Sequence, residues 1–527
     1  MFCDIVAREQ TQDPEGRLNN PENPTRRAFL TGASSTTLAM QAHSATHSSA
    51  EAALTQLSAV QAVAAMTRGE LSVEKYASAL LRRCEDERAL NAFITLDPER
   101  VREAARQRDL ERRSSARVGP LFGLPIPVKD SVNTRDYPTT AGTPALRHFQ
   151  PAEDAPVVKA LRSAGAIVLG KTNLHELSWG WTSNNHAFGA VHNPYDPTRI
   201  PGGSSGGTAA AIAAHMAPLG IAEDTEGSIR VPAALCGVVG FRPTTGRYPS
   251  DGVAPISALF DQVGPHARSV SDIVLFDSVL TSDWSAVQPT PLQGVRLGIV
   301  RDYWYRDLDP EIEHLTERSL ERLKRAGVQL VETELPGLAA LIKLTTSPVQ
   351  THDVGVTLPR YLARYHAGVS LEQLVAQSSE DIRDSFRNDV LPGGRNTVSE
   401  SVYKAAVDTH LPALRALYRD YFRRTQVAAI IFPPTLVPAL PIGAEGEVQV
   451  GAHTVGFATA LARNIGPGST AGVPGLVLPT GLTASGLPTA LELDAPAGSD
   501  RALLALGMSL MEVLGPMPSP RPRAAVA

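Results

Sequence analysis

Cysteine is nearly missing from this chain: three occur in 527 residues, at positions 3, 84 and 236. Three thiols make no disulfide framework, and their spacings fit no zinc pattern. Cys236, inside an apolar run, reads as core. Also missing is any stretch of about 18 uninterrupted apolar residues, so no membrane-spanning helix is expected. There is no Lys/Arg-rich stripe either; 49 basic against 54 acidic residues give a formal charge of −5. That balance offers no electrostatic case for nucleic acid and leaves a small molecule as the default partner. No repeat of 20 to 50 residues is visible, which argues against a solenoid. No long polar linker divides residues 51–515, so one large domain is expected despite a length that would allow several; a homodimer stays compatible with the sequence.

What is present is a globular composition, 43% apolar and 20% charged, between two atypical ends. Residues 1–50 are polar and Pro/Asn-rich up to Thr25 and then read TRRAFLTGASSTTLAMQAHSA. Paired Arg26 and Arg27, a short mildly apolar stretch and small residues fit a twin-arginine export signal with cleavage near Ser44 or Ala45. Export would put the mature protein in the periplasm or outside the cell; without it the chain is cytoplasmic. Residues 516–527 read as a C-terminal tail.

From 51 to 113 the pattern is helical. Ser58 can cap a helix that stops at Gly69, Ser72 can cap the next, and Asp97-Pro98 opens a third with proline at its first position. Then the texture changes to short apolar runs punctuated by Gly and Pro: LFGLPIPVKD, AGAIVLGKT, MAPLGIAED, GVVGFRP, GVRLGIV, AAIIFPP and GLVLPTG. Runs of four to six apolar residues separated by helix-length segments imply a buried, mixed and mostly parallel sheet flanked by helices on both faces, an α/β fold. The charged, helical segment 301–428 is expected to pack over the sheet and wall a pocket.

Two motifs mislead. GAIVLGKT, residues 165–172, matches a phosphate-loop expression, but its variable positions are Ala-Ile-Val-Leu, themselves a strand. GGSSG, residues 202–206, matches a nucleophile elbow, yet NPYDPTRIP before it is no central strand. The Gly/Ser stretch instead runs straight into TAAAIAAHMA, a tight loop feeding a helix N-terminus.

Three stretches taken together are specific. GLPIPVKDSV around Lys129, PGGSSGGTAAAIAA around Ser204 and EDTEGSIRVPAALCGVVGFRPTTGR around Ser228 resemble the amidase signature family in order and spacing. The likeness continues through DQVGPHARSVSDI, FPPTLVPALPIG and AGVPGLVLPTG and covers roughly 55–515. The resemblance implies a cofactor-independent, metal-free Ser-Ser-Lys hydrolase: Lys129 as base, Ser204 as the bridging serine, Ser228 as nucleophile. It further implies Ser205 as a hydrogen-bond support of the lysine, and the backbone N–H groups of Thr225, Glu226, Gly227 and Ser228 as the oxyanion hole. Asp224 and Arg230 are expected to brace that loop. A serine hydroxyl is a poor nucleophile until its proton has somewhere to go, and lysine accepts one only when neutral. Bringing Lys129 from about 10.4 to near 7 requires about 4.6 kcal/mol of destabilisation of its charged form. The flanking Leu-Pro-Ile-Pro-Val run is a credible dry wall for that purpose; Asp130 opposes it unless it points elsewhere.

One residue departs from the pattern. The family loop reads Asp-Thr-Gly-Gly-Ser, and here Glu226 stands at the first glycine. At a positive φ it would cost about 1 kcal/mol or more; at a negative φ only the side chain is new. A carboxylate aimed at the oxyanion would oppose catalysis, so Glu226 is expected to turn away, to an arginine for instance, failing which the chain is a weakened or silent relative. Trp179 and Trp181 are candidates for an aromatic pocket wall. Within the family the run FRPTTGRYPSDGVAPISALFDQVGPHARSV resembles mandelamide and indoleacetamide hydrolases, which implies small aryl or arylacetamide-type primary amides as substrates. Peptide amidase activity, or ester or urethane hydrolysis by the same acyl-enzyme route, is the alternative.

Overall fold

Local sequence sets the first three helices. Ser58 Oγ accepts from the Gln61 amide while the Gln61 side chain accepts from the Ser58 amide, so Ala59–Arg68 opens with a complete capping box and closes on left-handed Gly69. Ser72 Oγ accepts from the Lys75 amide to cap Val73–Asp86, and Pro98–Ser114 begins on its proline. The computed structural model divides the chain into two units, Met1–Ala52 and Ala53–Ala527. It describes residues 51–114 and 117–521; the arginine-pair segment lies outside the described residues, and the account below is of the second unit.

Among the described residues thirteen strands follow one another as β1 Phe93–Leu96, β2 Pro125–Lys129, β3 Ile167–Thr172, β4 Leu219–Asp224, β5 Val239–Arg242, β6 Gln262–Ala267, β7 Arg296–Ile299, β8 Gln329–Glu332, β9 Ala429–Phe432, β10 Glu447–Val450, β11 His453–Gly456, β12 Gly475–Leu482 and β13 Pro488–Asp494. Eleven form one sheet in the order β1-β3-β2-β4-β6-β5-β12-β13-β9-β7-β8, and β10 and β11 make a separate hairpin. The sheet is mixed, as the sequence implied, but not mostly parallel. Its flanks are parallel, β3-β2-β4 and β9-β7-β8, whereas every pairing from β4 through β6, β5, β12 and β13 to β9 is antiparallel, as is β1 with β3. Runs buried on both faces look alike whichever way the neighbour points, so apolar texture reveals burial and not direction. β2 carries Pro125 and Pro127 in the sheet interior; the register shift between Ile126 and Pro127 accommodates a residue that cannot donate to the ladder.

GAIVLGKT is structural, as expected: β3 runs through it and all six of its residues are buried. Cys84 and Cys236 are buried and free. The segment 301–428 is largely helical, dominated by the 27-residue helix Leu338–Arg364. Among the described residues no helix is long and apolar enough to cross a membrane.

Candidate active site

β2 and β4 are parallel neighbours, registered at Val128 and Ile221, so their C-terminal ends emerge together. Lys129 is the last residue of β2, and Glu223 and Asp224 are the last of β4. The Gly/Ser loop then delivers Ser204 and Ser205 ahead of helix Gly206–Ala213. Only glycine allows that approach, for a Cβ on Gly207 would lie 2.3 Å from the Asn173 carbonyl oxygen. The Gly203–Ser204 peptide is cis.

Lys129 is fully buried and donates from Nζ to Ser204 Oγ at 2.7 Å and to Glu223 Oε1 at 2.6 Å. Burial lowers its pKa, against the pull of Glu223, which raises it. Asp130 does point elsewhere: it forms a buried pair with Lys171 at 2.8 Å and accepts from Thr140. Ser205 does not hold the lysine. Its Oγ donates to the Glu223 carbonyl at 3.1 Å and its amide to the Ser228 carbonyl at 3.2 Å, so it ties the loop to β4 and to the Ser228 turn. Glu223 does the lysine-holding assigned to Ser205. A signal for it existed, since two acids ending a buried strand both need partners and only one arginine lay close in sequence.

The turn after β4 is built around Asp224. Its carboxylate accepts from the amides of Gly227 at 2.8 Å and Ile229 at 3.0 Å, and meets the buried guanidiniums of Arg230 at 3.1 Å and Arg242 at 3.4 Å. Burial pushes that carboxyl up, but the two arginines and these donors overcome it and hold it well below the usual carboxylate range. Arg230 reaches on to Glu492 at 2.6 Å and to Ser469. Bracing by Asp224 and Arg230 is therefore as expected, with Arg242, Glu492 and Ser469 as unforeseen members.

This bracing narrows the set of amides expected to form an oxyanion hole. The Gly227 amide is committed to Asp224, leaving those of Thr225, Glu226 and Ser228 without a protein acceptor among the described residues. Positive φ falls on Gly227, at 103°, and not on Glu226; the departure from the family loop costs no backbone strain. Ser228 is 5% exposed and its hydroxyl has no protein hydrogen bond among the described residues, so Ser204 and Ser228 are brought close by backbone without a bond between their hydroxyls.

Ser228 faces a cavity of about 280 Å³ lined by Trp179, Trp181, Ile256, Gln350 and Glu226 among others. Both tryptophans thus wall it as expected. Trp179 is fixed edge-on to Phe386 and by a hydrogen bond to Ser385 at 3.0 Å, Trp181 by one to the Glu226 carbonyl at 2.9 Å. The Glu226 side chain does not turn away to an arginine. It lies in the cavity wall and accepts from Gln350 Nε2 at 3.0 Å, because the long helix presents Ser347, Gln350 and Thr351 there. Burial pushes its carboxyl up to about 7, opposed by the Gln350 hydrogen bond.

Comparison with known proteins places most of the chain. The family model "Amidase" matches residues 75–504. The chain is 38% identical to an indoleacetamide hydrolase of Agrobacterium vitis over 457 residues, covering 87% of this chain and 97% of that one. It is 37% identical to a mandelamide hydrolase of Pseudomonas putida over 480 residues, covering 89% and 93%. Among solved structures, the peptide amidase of Stenotrophomonas maltophilia superposes with a TM-score of 0.72 at 28% identity, covering 88% of this chain and 98% of that one.

Proposed function

The chain belongs to the amidase signature family and hydrolyses amide C–N bonds; we propose that its substrates are small aryl or arylacetamide-type primary amides, cleaved to carboxylate and ammonia through an acyl-enzyme on Ser228. One juxtaposition carries the reading: a buried Lys129 amine on Ser204 Oγ at 2.7 Å, next to a Ser228 hydroxyl that is free and faces the cavity.

In acylation the Ser228 proton passes to Ser204 Oγ as the Ser204 proton passes to Lys129 Nζ, and Ser228 Oγ bonds to the carbonyl carbon. The carbonyl π pair moves to oxygen, where the free amides of the 225–228 turn stabilise it; one such donor is worth about 2.7–4 kcal/mol. The proton on Nζ then returns through Ser204 to the leaving nitrogen, the C–N bond breaks and ammonia departs. Water attacks the ester by the same relay in reverse. Two tryptophans and a cavity at the small end of ligand pockets favour a compact aromatic acyl group. The relatives named for indoleacetamide and mandelamide point the same way. A peptide amidase is the second reading, favoured by the structural likeness to one.

An ammonia-release screen over aryl, aliphatic and C-terminal peptide amides separates the two, with the arylacetamides expected to give the highest kcat/KM. Ser228→Ala, Lys129→Ala and Ser204→Ala should each lose on the order of 10⁴-fold or more of kcat. A fully active Ser228→Ala protein would end the acyl-enzyme reading, and failure of a fluorophosphonate probe to label Ser228 would favour a silent relative. We also propose export by the twin-arginine route, on the strength of Arg26 and Arg27 and the small-residue stretch after them.

A further inference from the structure

Glu223 has the tightest contact with the lysine amine and no task in the relay described above. Its Oε1 lies 2.6 Å from Lys129 Nζ, so the amine is gripped between a carboxylate and the Ser204 hydroxyl. Lys129 is fully buried and Glu223 is 3% exposed. The exposed part faces a second cavity, of about 450 Å³, lined by Asp261, Arg360, Tyr361 and Arg364 among others and sharing no lining residue with the cavity at Ser228. Arg364 at its rim pairs with Asp251 at 2.9 Å, and both are well exposed. Glu223 therefore approaches the lysine from behind, out of reach of a substrate seated at Ser228.

We propose that Glu223 is a positioning residue: it clamps Lys129 Nζ against Ser204 and sets the pH at which that amine becomes the free base. The inference rests on reading Lys129 as the base. Burial drives the buried lysine towards its neutral form; a carboxylate in contact restores affinity for the proton, more strongly than the more distant charges of Asp224 and Asp261. The other groups around the pair do not replace it. Asp224 is engaged with Arg230 and Arg242, and Asp261, under Glu223 from the start of β6, accepts from Thr225 Oγ1 at 2.7 Å and from the Ile256 and Ser257 amides. Arg360, Tyr361 and Arg364 face Glu223 across the rear cavity, Ser131 Oγ stands 3.5 Å from it, and His266 lies on β6 near the lysine, turned to the Ile229 carbonyl. Among the described residues no other carboxylate touches Nζ.

The test is the pH profile of kcat/KM and kcat on the best amide from the screen, for the wild type and for Glu223→Gln, Glu223→Ser and Glu223→Asp. Activity rises with pH as Lys129 loses its proton, so removing the neighbouring negative charge should move that limb to lower pH, by about one unit or more in both neutral variants. Plateau kcat should fall about tenfold as the clamp is lost, with KM within about twofold, and the aspartate variant should keep its limb near that of the wild type. A limb that stays in place or moves upward in the neutral variants overturns the proposal, as does a rise in KM with unchanged kcat. Using two neutral variants guards against one that fails to fold. Lys129→Ala is run beside them: if it retains turnover, the base assignment has failed and not the clamp.

Discussion

Glu226 shows what one side chain can add to a loop whose backbone is unchanged. Its φ is not positive and its amide has no protein acceptor among the described residues, so the replacement of glycine leaves that donor of the proposed oxyanion hole in place. The new carboxyl sits in the acyl cavity against Gln350 with a pKa raised by burial from 4.5 to about 7. Between those values the folded protein holds a proton that the unfolded chain has released. The stability contributed is thus fully present below pH 4.5 and is lost as pH rises through 7. Glu226→Gln should therefore gain stability over the wild type between pH 5 and 8, by on the order of 1–3 kcal/mol in denaturant melts at the upper end. The same ionisation places a charge beside an apolar acyl group. KM for an arylacetamide should accordingly climb above pH 7 in the wild type and stay flat in the variant; matching KM profiles would show that the carboxyl does not meet the acyl group. Lys129, Ser204 and Ser228 were legible because three motifs recur together in one order. Gln350 was not, since it acts through a contact made by chain far away in sequence, and Glu223 was marked only as an acid in need of a partner, not by which partner it finds.

The element that holds the site together is β4 with its following turn. Asp224 at its end accepts two turn amides and faces two buried guanidiniums, so this one carboxylate fixes both which amides stay free and where Ser228 points. Asp224→Ala would leave Arg230 and Arg242 buried beside fewer anions and release the Gly227 amide. Breaking a buried pair in this way costs about 3–5 kcal/mol. A drop of that size in urea melts, with loss of most kcat even at temperatures where the variant is folded, is expected; an unaltered melt would mean that Glu492, already paired with Arg230, compensates. Helices and caps at this scale were readable from sequence, as Ser58, Gly69 and Ser72 illustrate, because capping is local chemistry. Strand direction was not, because it is decided by crossover connections that leave no local mark.

At the scale of the whole molecule, the order of the sheet bears on the proposed export. β5 pairs with β12, and β9 lies between β13 and β7, so the middle of the sheet closes only when chain near residue 494 is available. Neighbours so distant in sequence make threading of a half-made fold unproductive: before β12 and β13 exist, the inner edges of β5 and β9 are open and apolar, the kind of edge that aggregates. A route that carries finished proteins would suit this topology, and the paired arginines ahead of a short, mildly apolar stretch are its proposed address. Replacing Arg26 and Arg27 with lysine should leave a folded, fully active precursor inside the cell, because the residues of the site all lie beyond position 128. Fractionation with the amide assay checks this directly. Activity retained in the cytoplasm supports export of the folded enzyme, whereas an unchanged periplasmic or extracellular fraction would show that the arginines are not the signal. Retention without activity would mean that the chain matures only after crossing and that the sheet does not have to close before export.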